Sequence, residues 1–444
     1  MDITAKIDFT SKCGKVKPKL HSSGLAPRVA RRNPAEDELL RSLHLSYTRT
    51  HDWALVSAGQ RLCDTHFIFP LAHLDPKDPK NYVFEPTDHA LSLAQDVGMK
   101  IFFRLGSSIE HSGDDWGFNT LNPENHERYA EVLAGIVRHY TQGWANGFKW
   151  DIKYWELFNE PDIWPCWRGT REEFLHLFIT CFKRLKSEFP KIKVGGPAFA
   201  TCYKDEYINF FLKGCADAGV KLDFFSWHGY ARGNNMAKIL ATPERARNFL
   251  DSHGMKKCEL IINEWHYVSG WSYFDAFVKR GAQGVAETNS IDSAVYNLTF
   301  LSKLHDTPLD QAFYYGCNGV NSPWGYSDSC YKLYKTFFSL RLFGEIVSNY
   351  VNRVKCESFS APITPFAALS KDGKKGCILI SDYRGLNQVL ELEVKGIAKA
   401  KRISAVVLDN ERDNLPVDVD VHGNYITLVK SAPESAAFLI SVEW

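Results

Sequence analysis

The sequence predicts an α/β protein in which an eight-stranded (β/α)8 TIM barrel is followed by an antiparallel β-sandwich domain. Between about residues 35 and 345, helical segments alternate with short β-rich runs that end in polar residues, and this alternation is typical of parallel strands joined by helices. Seven such strands can be counted, and residues 17–23 supply an eighth before the first helix, as a closed barrel requires. After about residue 345 no helical period remains, and short β-rich runs between turn dipeptides predict the sandwich.

An open, doubly wound sheet is the alternative arrangement of alternating strands and helices. Such a sheet normally carries a glycine-rich phosphate-binding turn after its first strand. The sequence contains no GxGxxG motif, so the barrel is favoured.

The individual elements follow from the spacing of apolar residues along the chain. Apolar residues at three- and four-residue intervals predict helices at 35–43, 87–97, 126–140, 206–216, 243–252 and 291–305. A further helix begins at Thr170, which forms a capping box with Glu173. The barrel strands are predicted at 17–23, 44–52, 100–107, 153–159, 193–198, 222–230, 259–266 and 311–317. The sandwich strands are predicted at 367–369, 376–381, 389–394, 403–408, 425–428 and 437–442.

These elements divide the chain into three regions. Residues 17–344 are expected to form the barrel and residues 345–444 the β-sandwich. The start of the chain alternates polar and apolar residues, so residues 1–16 are expected to add an N-terminal strand to the sandwich.

Composition excludes several classes of protein. The 444 residues carry a formal net charge of +1, without the basic excess of a nucleic-acid binder, and no apolar run approaches the about 20 residues of a membrane span. The eleven cysteines are scattered and show no metal-ligand spacing, so a structural zinc site is not expected. No other metal and no organic cofactor is implied. No secretion signal is visible, so we expect a cytoplasmic protein, or a periplasmic or secreted one if a signal peptide has been removed. The oligomeric state is left open.

Two of the predicted barrel strands end in a glutamate. Glu160 ends the run WELFNE at 155–160, and Glu264 ends the run IINE at 261–264. Catalytic groups of such barrels lie at the carboxyl ends of the strands, and a glutamate is costly in a buried strand unless it is paired or used. Two carboxylates at one barrel mouth indicate glycoside hydrolysis, in which one acts as a general acid and the other as a nucleophile or base.

Four strand-end motifs resemble those of a known family. The Asn-Glu-Pro at 159–161 on strand four and the Asn-Glu at 263–264 on strand seven are similar to those of clan A retaining glycoside hydrolases. The Arg-Thr-His at 49–51 and the His-Gly-Tyr at 228–230 resemble the Arg-x-His and His-x-Tyr of glycoside hydrolase family 39, which includes β-xylosidases and α-L-iduronidases. The resemblance covers nearly the whole chain, barrel and sandwich included.

The resemblance implies a role for each matching residue. Glu160 would be the general acid/base and Glu264 the nucleophile. Arg49 would keep Glu264 ionised, and Tyr230 would hold its carboxylate. Asn159 would bind the 2-hydroxyl of the sugar, although strict strand alternation would point Asn159 and Glu160 to opposite faces. The residues expected to bind substrate are Asn159, Arg49, His51, His228, Tyr230, Tyr315 and Trp324.

The sequence departs from the clan pattern after strand eight. The clan usually places a tryptophan there, whereas this chain has Tyr315 and only later Trp324, so Tyr315 is expected to replace it. Arg104 ends strand three, where it could bind a carboxylate or sulfate of a sugar or pair with a neighbouring acid. Four more tryptophans could either stack on sugars or pack in loops: Trp164, Trp167, Trp265 and Trp271.

The function expected from these residues is retaining glycoside hydrolysis by double displacement. The first choice is an exo-acting β-glycosidase of β-xylosidase or β-galactosidase type that degrades an oligosaccharide or polysaccharide of plants or algae. An endo-acting glycosidase or an α-L-arabinofuranosidase on the same fold remains the alternative. A non-catalytic carbohydrate-binding barrel would retain the aromatic cleft and lose one carboxylate, whereas here both glutamates are present.

Overall fold

The computed structural model describes most of the chain and gives the bounds of its elements. It describes residues 2–24, 34–51, 53–54, 61–107, 120–164, 166–230, 235–268, 282–316 and 324–444. The strands are β1 (Ala5–Lys15), β2 (Ser22–Gly24), β3 (Tyr47–Arg49), β4 (Trp53–Ala54), β5 (Arg61–Leu62), β6 (Lys100–Leu105), β7 (Tyr154–Leu157), β8 (Lys193–Phe199), β9 (Phe224–Gly229), β10 (Glu259–Trp265), β11 (Gln311–Tyr314), β12 (Asn352–Ser358), β13 (Ile363–Leu369), β14 (Lys375–Asp382), β15 (Val389–Lys395), β16 (Arg402–Leu408), β17 (Asp413–Val417), β18 (Asp420–His422), β19 (Tyr425–Val429) and β20 (Ala436–Glu443). The helices are α1 (Pro34–Arg41), α2 (Thr65–Ile68), α3 (Glu85–Asp96), α4 (His126–Gln142), α5 (Arg171–Glu188), α6 (Asp205–Asp217), α7 (Met236–Leu240), α8 (Thr242–Ser252), α9 (Ala282–Thr288), α10 (Ile291–Leu304) and α11 (Lys335–Asn349).

Eight of these strands close into a parallel barrel. Its order is β2, β3, β6, β7, β8, β9, β10 and β11, and β11 pairs with β2 to complete the ring. Spatial neighbours are therefore also neighbours along the chain, as right-handed β-α-β crossovers produce. The barrel predicted from the alternating pattern is confirmed, and all eight carboxyl ends open on the same side.

The centre of the barrel is filled with aromatic side chains. Six residues from six of the eight barrel strands, five of them aromatic, form one buried layer: Tyr47, Phe102, Tyr154, Phe224, Ile261 and Phe313. Above this layer, toward the carboxyl ends of the strands, the inward-facing side chains become polar. They begin with Arg49, Glu156 and Asn263, so the packed interior ends where the polar site begins.

The sequence signals at the helix ends are present in the structure. The Thr170 side chain accepts from the Glu173 backbone N–H while the Glu173 side chain accepts from the Thr170 N–H, so the predicted capping box starts α5. The Asn125 side chain caps α4, which ends at Gly143 in the left-handed conformation. The front strand is shorter than predicted because Pro18 starts a 3₁₀ turn, Pro18–Leu20, in place of a strand.

The carboxyl-terminal strands form a second sheet with its own apolar core. Ten strands are hydrogen-bonded in the order β17, β16, β20, β14, β13, β12, β1, β15, β19 and β18. All neighbours are antiparallel except β1 and β15, which are parallel, so the sheet is mixed where a purely antiparallel one is predicted. The division of the chain at residues 16 and 344 stays a prediction, and α11 runs across residue 344.

Candidate active site

The polar cluster above the aromatic layer is organised around Arg49, at the end of β3. This side chain is 1 % exposed and donates three hydrogen bonds. Its Nε lies 2.6 Å from Glu156 Oε2, its Nη1 2.7 Å from Glu264 Oε1 and its Nη2 2.7 Å from Asn159 Oδ1. The planar guanidinium thereby holds groups from β7 and β10 in one fixed arrangement.

Glu264, on β10, is surrounded by donors. Besides Arg49, the Tyr230 hydroxyl donates to its Oε2 at 3.3 Å, and the Nε2 atoms of His51 and His228 each lie 3.4 Å from its Oε1. Burial alone would raise the pKa of Glu264, but His228, His51 and Arg49 together lower it well below the usual range. Glu264 is therefore held as a carboxylate.

Glu160 lies opposite, and its side chain is more open to solvent than that of Glu264, at 20 % against 6 %. Its Oε1 lies 2.9 Å from Nδ1 of His228, so a single imidazole contacts both carboxylates. Burial lowers the pKa of His228, but the charges of Glu264 and Glu160 outweigh it and the pKa is raised. The Sγ of Cys166 lies 3.4 Å from Oε2 of Glu160.

The end of β7 departs from regular strand geometry. Such a departure is needed if the adjacent side chains of Asn159 and Glu160 are both to enter one cleft. Phe158 and Glu160 have φ values of 68° and 47°, in the left-handed region that costs a non-glycine residue about 1–3 kcal/mol. The Glu160 N–H donates to the carbonyl of Ala198 on β8 at 2.9 Å. Strained backbone of this kind is concentrated at functional sites.

A similar irregularity brings two neighbouring residues of β10 into the site. The pairing of β10 with β9 shifts between Ile262 and Glu264. Asn263 consequently donates to Glu156 at 2.8 Å while Glu264 faces Arg49. Regular alternation would have placed only one of the two inside the barrel.

Aromatic rings line one side of the cluster. The ring of Tyr315 lies 5.7 Å from that of His51 and 6.5 Å from that of Tyr230. Trp324 packs on Tyr315 at 5.2 Å and on His266 at 5.0 Å. The structure thus brings together all nine residues that the sequence places in the site: Glu160, Glu264, Asn159, Arg49, His51, His228, Tyr230, Tyr315 and Trp324.

The other tryptophan candidates lie in different surroundings. Trp265 is buried against Phe300, and Trp167 is buried with its Nε1 donating to the carbonyl of Thr170, so both pack in the core. Trp164 is 64 % exposed, and Trp271 lies outside the described residues.

Arg104 is buried at the end of β6. Its backbone N–H donates to Thr50 Oγ1 at 2.8 Å, and it pairs in register with Glu156 on β7. The expectation that its side chain binds an anionic group of a sugar or pairs with a neighbouring acid stays a prediction.

Sequence reasoning assigned no role to Glu156 or Cys166, although both contact the cluster. Glu156 stands as an acid inside the apolar run YWELF, and that signal could have identified it as a buried group in need of a partner. Cys166 belongs to a loop six residues beyond Glu160, and nothing in the sequence shows that this loop folds back.

Two kinds of feature are absent from the residues that the structure describes. Among them, no group of three or more His, Cys, Asp and Glu side chains is placed to hold a metal ion. None of the helices within those ranges is both long and apolar enough to cross a membrane.

Solved structures similar to this one cover the whole chain. A glucosidase from Croceicoccus marinus superposes with a TM-score of 0.80 at 19% identity, covering 100% of both chains. A monomeric β-xylosidase from Caulobacter crescentus CB15 superposes with a TM-score of 0.71 at 16% identity, covering 100% of this chain and 99% of that one. At these identities the likeness concerns the fold, which agrees with the predicted barrel and C-terminal sheet.

Sequence comparison supplies the family. A β-xylosidase from Geobacillus stearothermophilus is 30% identical over 178 residues, which are 38% of this chain and 34% of that protein. One from Caldicellulosiruptor saccharolyticus is 27% identical over 180 residues, 37% of this chain and 36% of that protein, so each match spans about a third of the curated relative. The model of glycosyl hydrolases family 39 matches residues 5–317, which include all the strand-end motifs. The chain therefore belongs to glycosyl hydrolase family 39.

Proposed function

We propose that this protein is a retaining, exo-acting β-glycosidase that hydrolyses β-D-xylosides or related β-glycosides of oligosaccharides and polysaccharides. The observation that carries the proposal is the contact of one imidazole, His228, with both Glu160 and Glu264, at 2.9 and 3.4 Å. Such an arrangement supplies two carboxyl groups with different surroundings in one cleft, as double displacement requires. The curated relatives bear the name β-xylosidase, which supports an exo mode and makes xylosides the first substrates to test.

In the first step Glu264 is the nucleophile. One of its oxygens forms a bond to the anomeric carbon while the glycosidic C–O bond breaks, and the electron pair of that bond goes to the leaving oxygen. Glu160 gives this oxygen its proton. Arg49, His51 and His228 keep Glu264 ionised before the attack, so the nucleophile carries its charge at ordinary pH.

In the second step Glu160, now ionised, takes a proton from water as the water attacks the anomeric carbon. The ester bond to Glu264 breaks and the sugar leaves with its original anomeric configuration. Asn159 is 3 % exposed, and Arg49 occupies its Oδ1, so its amide nitrogen remains available to accommodate the sugar 2-hydroxyl. A contact at this position strengthens in the transition state.

Proton NMR on a panel of p-nitrophenyl glycosides tests the proposal. We expect p-nitrophenyl β-D-xyloside to be cleaved and the first-formed sugar to be the β anomer, which then mutarotates. The panel also contains β-D-galactoside, β-D-glucoside and α-L-arabinofuranoside. An α-xylose signal at early times would contradict retention. Binding of sugars without turnover of any glycoside would favour the non-catalytic barrel.

The pH dependence of kcat/KM on the best of these substrates should be bell-shaped. Activity requires an ionised Glu264, and its lowered pKa places the acidic limb below the usual glutamate value of about 4.3. Proton donation to the leaving oxygen adds an alkaline limb, along which kcat/KM should fall. Stopped assays at constant ionic strength from pH 3 to 10 should show the alkaline limb and little loss of activity between pH 5 and pH 4. An acidic limb at or above the usual glutamate value would contradict the lowered pKa of Glu264, and a profile without an alkaline limb would contradict proton donation to the leaving oxygen.

A further inference from the structure

A third carboxylate lies directly beneath the proposed catalytic pair. Glu156, in the middle of β7, is fully buried. Its Oε2 accepts from Arg49 Nε at 2.6 Å, and its Oε1 accepts from Ser226 Oγ at 2.6 Å and from Asn263 Nδ2 at 2.8 Å. These three donors come from three different barrel strands, so the position of Glu156 is set by the barrel and not by a loop.

The contacts of Glu156 are those of a charged group. Arg49 and Asn263 donate N–H groups to its oxygens, and the Ser226 hydroxyl donates its O–H. Taking a carboxylate out of water is expensive unless a cation and further donors compensate for it, and here the cation is Arg49. Burial alone would lower the pKa of Arg49, but Glu156 and then Glu264 raise it.

The resting site therefore holds one guanidinium between two carboxylates, and catalysis changes that balance. When Glu264 bonds to the anomeric carbon it becomes a neutral ester. Arg49, which is 1 % exposed, then loses one of its two anionic partners. A buried cation left without any counter-charge is strongly destabilising.

We propose that Glu156 is a positioning residue that serves as the permanent counterion of Arg49 and thereby stabilises the glycosyl-enzyme. The proposal rests on the function proposed above. It assigns Glu156 no contact with substrate. The negative charge of Glu156 remains beside Arg49 while that of Glu264 is consumed by bond formation and restored by hydrolysis. Without Glu156, forming the ester would leave Arg49 uncompensated, whereas hydrolysing the ester would relieve the imbalance.

The test is the Glu156→Gln variant, assayed with 2,4-dinitrophenyl β-D-xyloside. A glutamine retains the size of the side chain but removes the charge. Glycosylation, measured as kcat/KM, should fall about 10²-fold, the effect of losing one preorganised charge partner. Deglycosylation should keep its rate or become faster, so the burst should disappear.

Glu259→Gln is the matched control. Glu259 lies at the start of β10, at the opposite end of the barrel, where Lys193 and the Tyr154 hydroxyl contact it. The Glu259→Gln variant removes the same charge from a partly buried glutamate of the barrel that lies away from Arg49. It should change the rates of glycosylation and deglycosylation by less than about twofold. Two results would overturn the proposal. One is a loss of glycosylation rate in Glu259→Gln as large as that in Glu156→Gln, and the other is a Glu156→Gln variant whose glycosylation and deglycosylation rates fall by the same factor.

A second measurement uses the unmodified protein and is independent of whether the variant folds. The enzyme is trapped as its 2-deoxy-2-fluoroxylosyl ester and crystallised. We expect Arg49 Nε to remain within hydrogen-bond distance of Glu156 Oε2. An Arg49 that has left Glu156 for another acceptor would overturn the proposal. Failure of the wild type to turn over any glycoside would instead reject the proposed function itself, so the two failures are distinguishable.

Discussion

Glu264→Ala should lose turnover of every glycoside that the wild type cleaves, whatever the leaving group, by a factor of about 10⁴ or more. The first step needs a nucleophile at the anomeric carbon, and the alanine variant has none. Because the substitution empties the space of the carboxylate beside Arg49, His51 and His228, an azide ion can enter it. Azide should attack the substrate directly and give a glycosyl azide of inverted configuration. Dinitrophenolate release and NMR of the azide product measure both effects.

The control for this variant is Glu244→Ala. Glu244 lies exposed on α8, so its replacement removes a glutamate without touching the cluster and should leave kcat/KM within about twofold. If Glu264→Ala gave a glycosyl azide of retained configuration, Glu264 would be the acid/base and Glu160 the nucleophile. If Glu264→Ala hydrolysed glycosides at nearly the wild-type rate, Glu264 would not be one of the two catalytic glutamates.

Glu160→Ala should lose activity in a way that depends on the leaving group. A dinitrophenolate departs almost without protonation, so this variant should still form the glycosyl-enzyme quickly and then stall, because no base remains to activate water. Azide needs no base, and should restore turnover and give a glycosyl azide of retained configuration. For a sugar leaving group, kcat/KM should fall about 10²–10⁴-fold, the usual contribution of a general acid.

Two measurements separate this loss from a general defect. Mass spectrometry during turnover of the dinitrophenyl substrate should detect the sugar bound to Glu264 in the Glu160→Ala variant. The ratio of kcat/KM values for dinitrophenyl and disaccharide substrates should rise strongly over that of the wild type. A loss of the same size for both leaving groups would show that Glu160 is not the acid.

Most of the fold could be predicted from local patterns. Helix α4 is predicted at 126–140 and found at His126–Gln142, because its apolar face and its ends are both encoded nearby. Strand β12 is absent from the predicted elements. Its sequence NRVKCES alternates charged residues and buries only Val354, so no apolar run marks it, and only its pairing with β1 and β13 makes it a strand.

The sequence also predicts that the site residues lie close together. Carboxyl ends of parallel strands meet at one rim, so motifs at the ends of β3, β7, β9 and β10 had to converge once the barrel was accepted. Their catalytic roles stay predictions, for which the substitutions above are the test.

The order of strands and helices, the polar strand ends and the two glutamates are properties of short segments, and a reader of the sequence can recover them because hydrophobic periodicity and turn residues act over a few positions. Which side chains meet was decided only by the closed barrel. Arg49 joins residues 107 and 215 positions away along the chain, and the irregular ends of β7 and β10 turn Asn159 and Glu264 inward against the strand period. The buried charge of Glu156 is tolerable only because three strands bring donors to it, and a single strand cannot encode its partners.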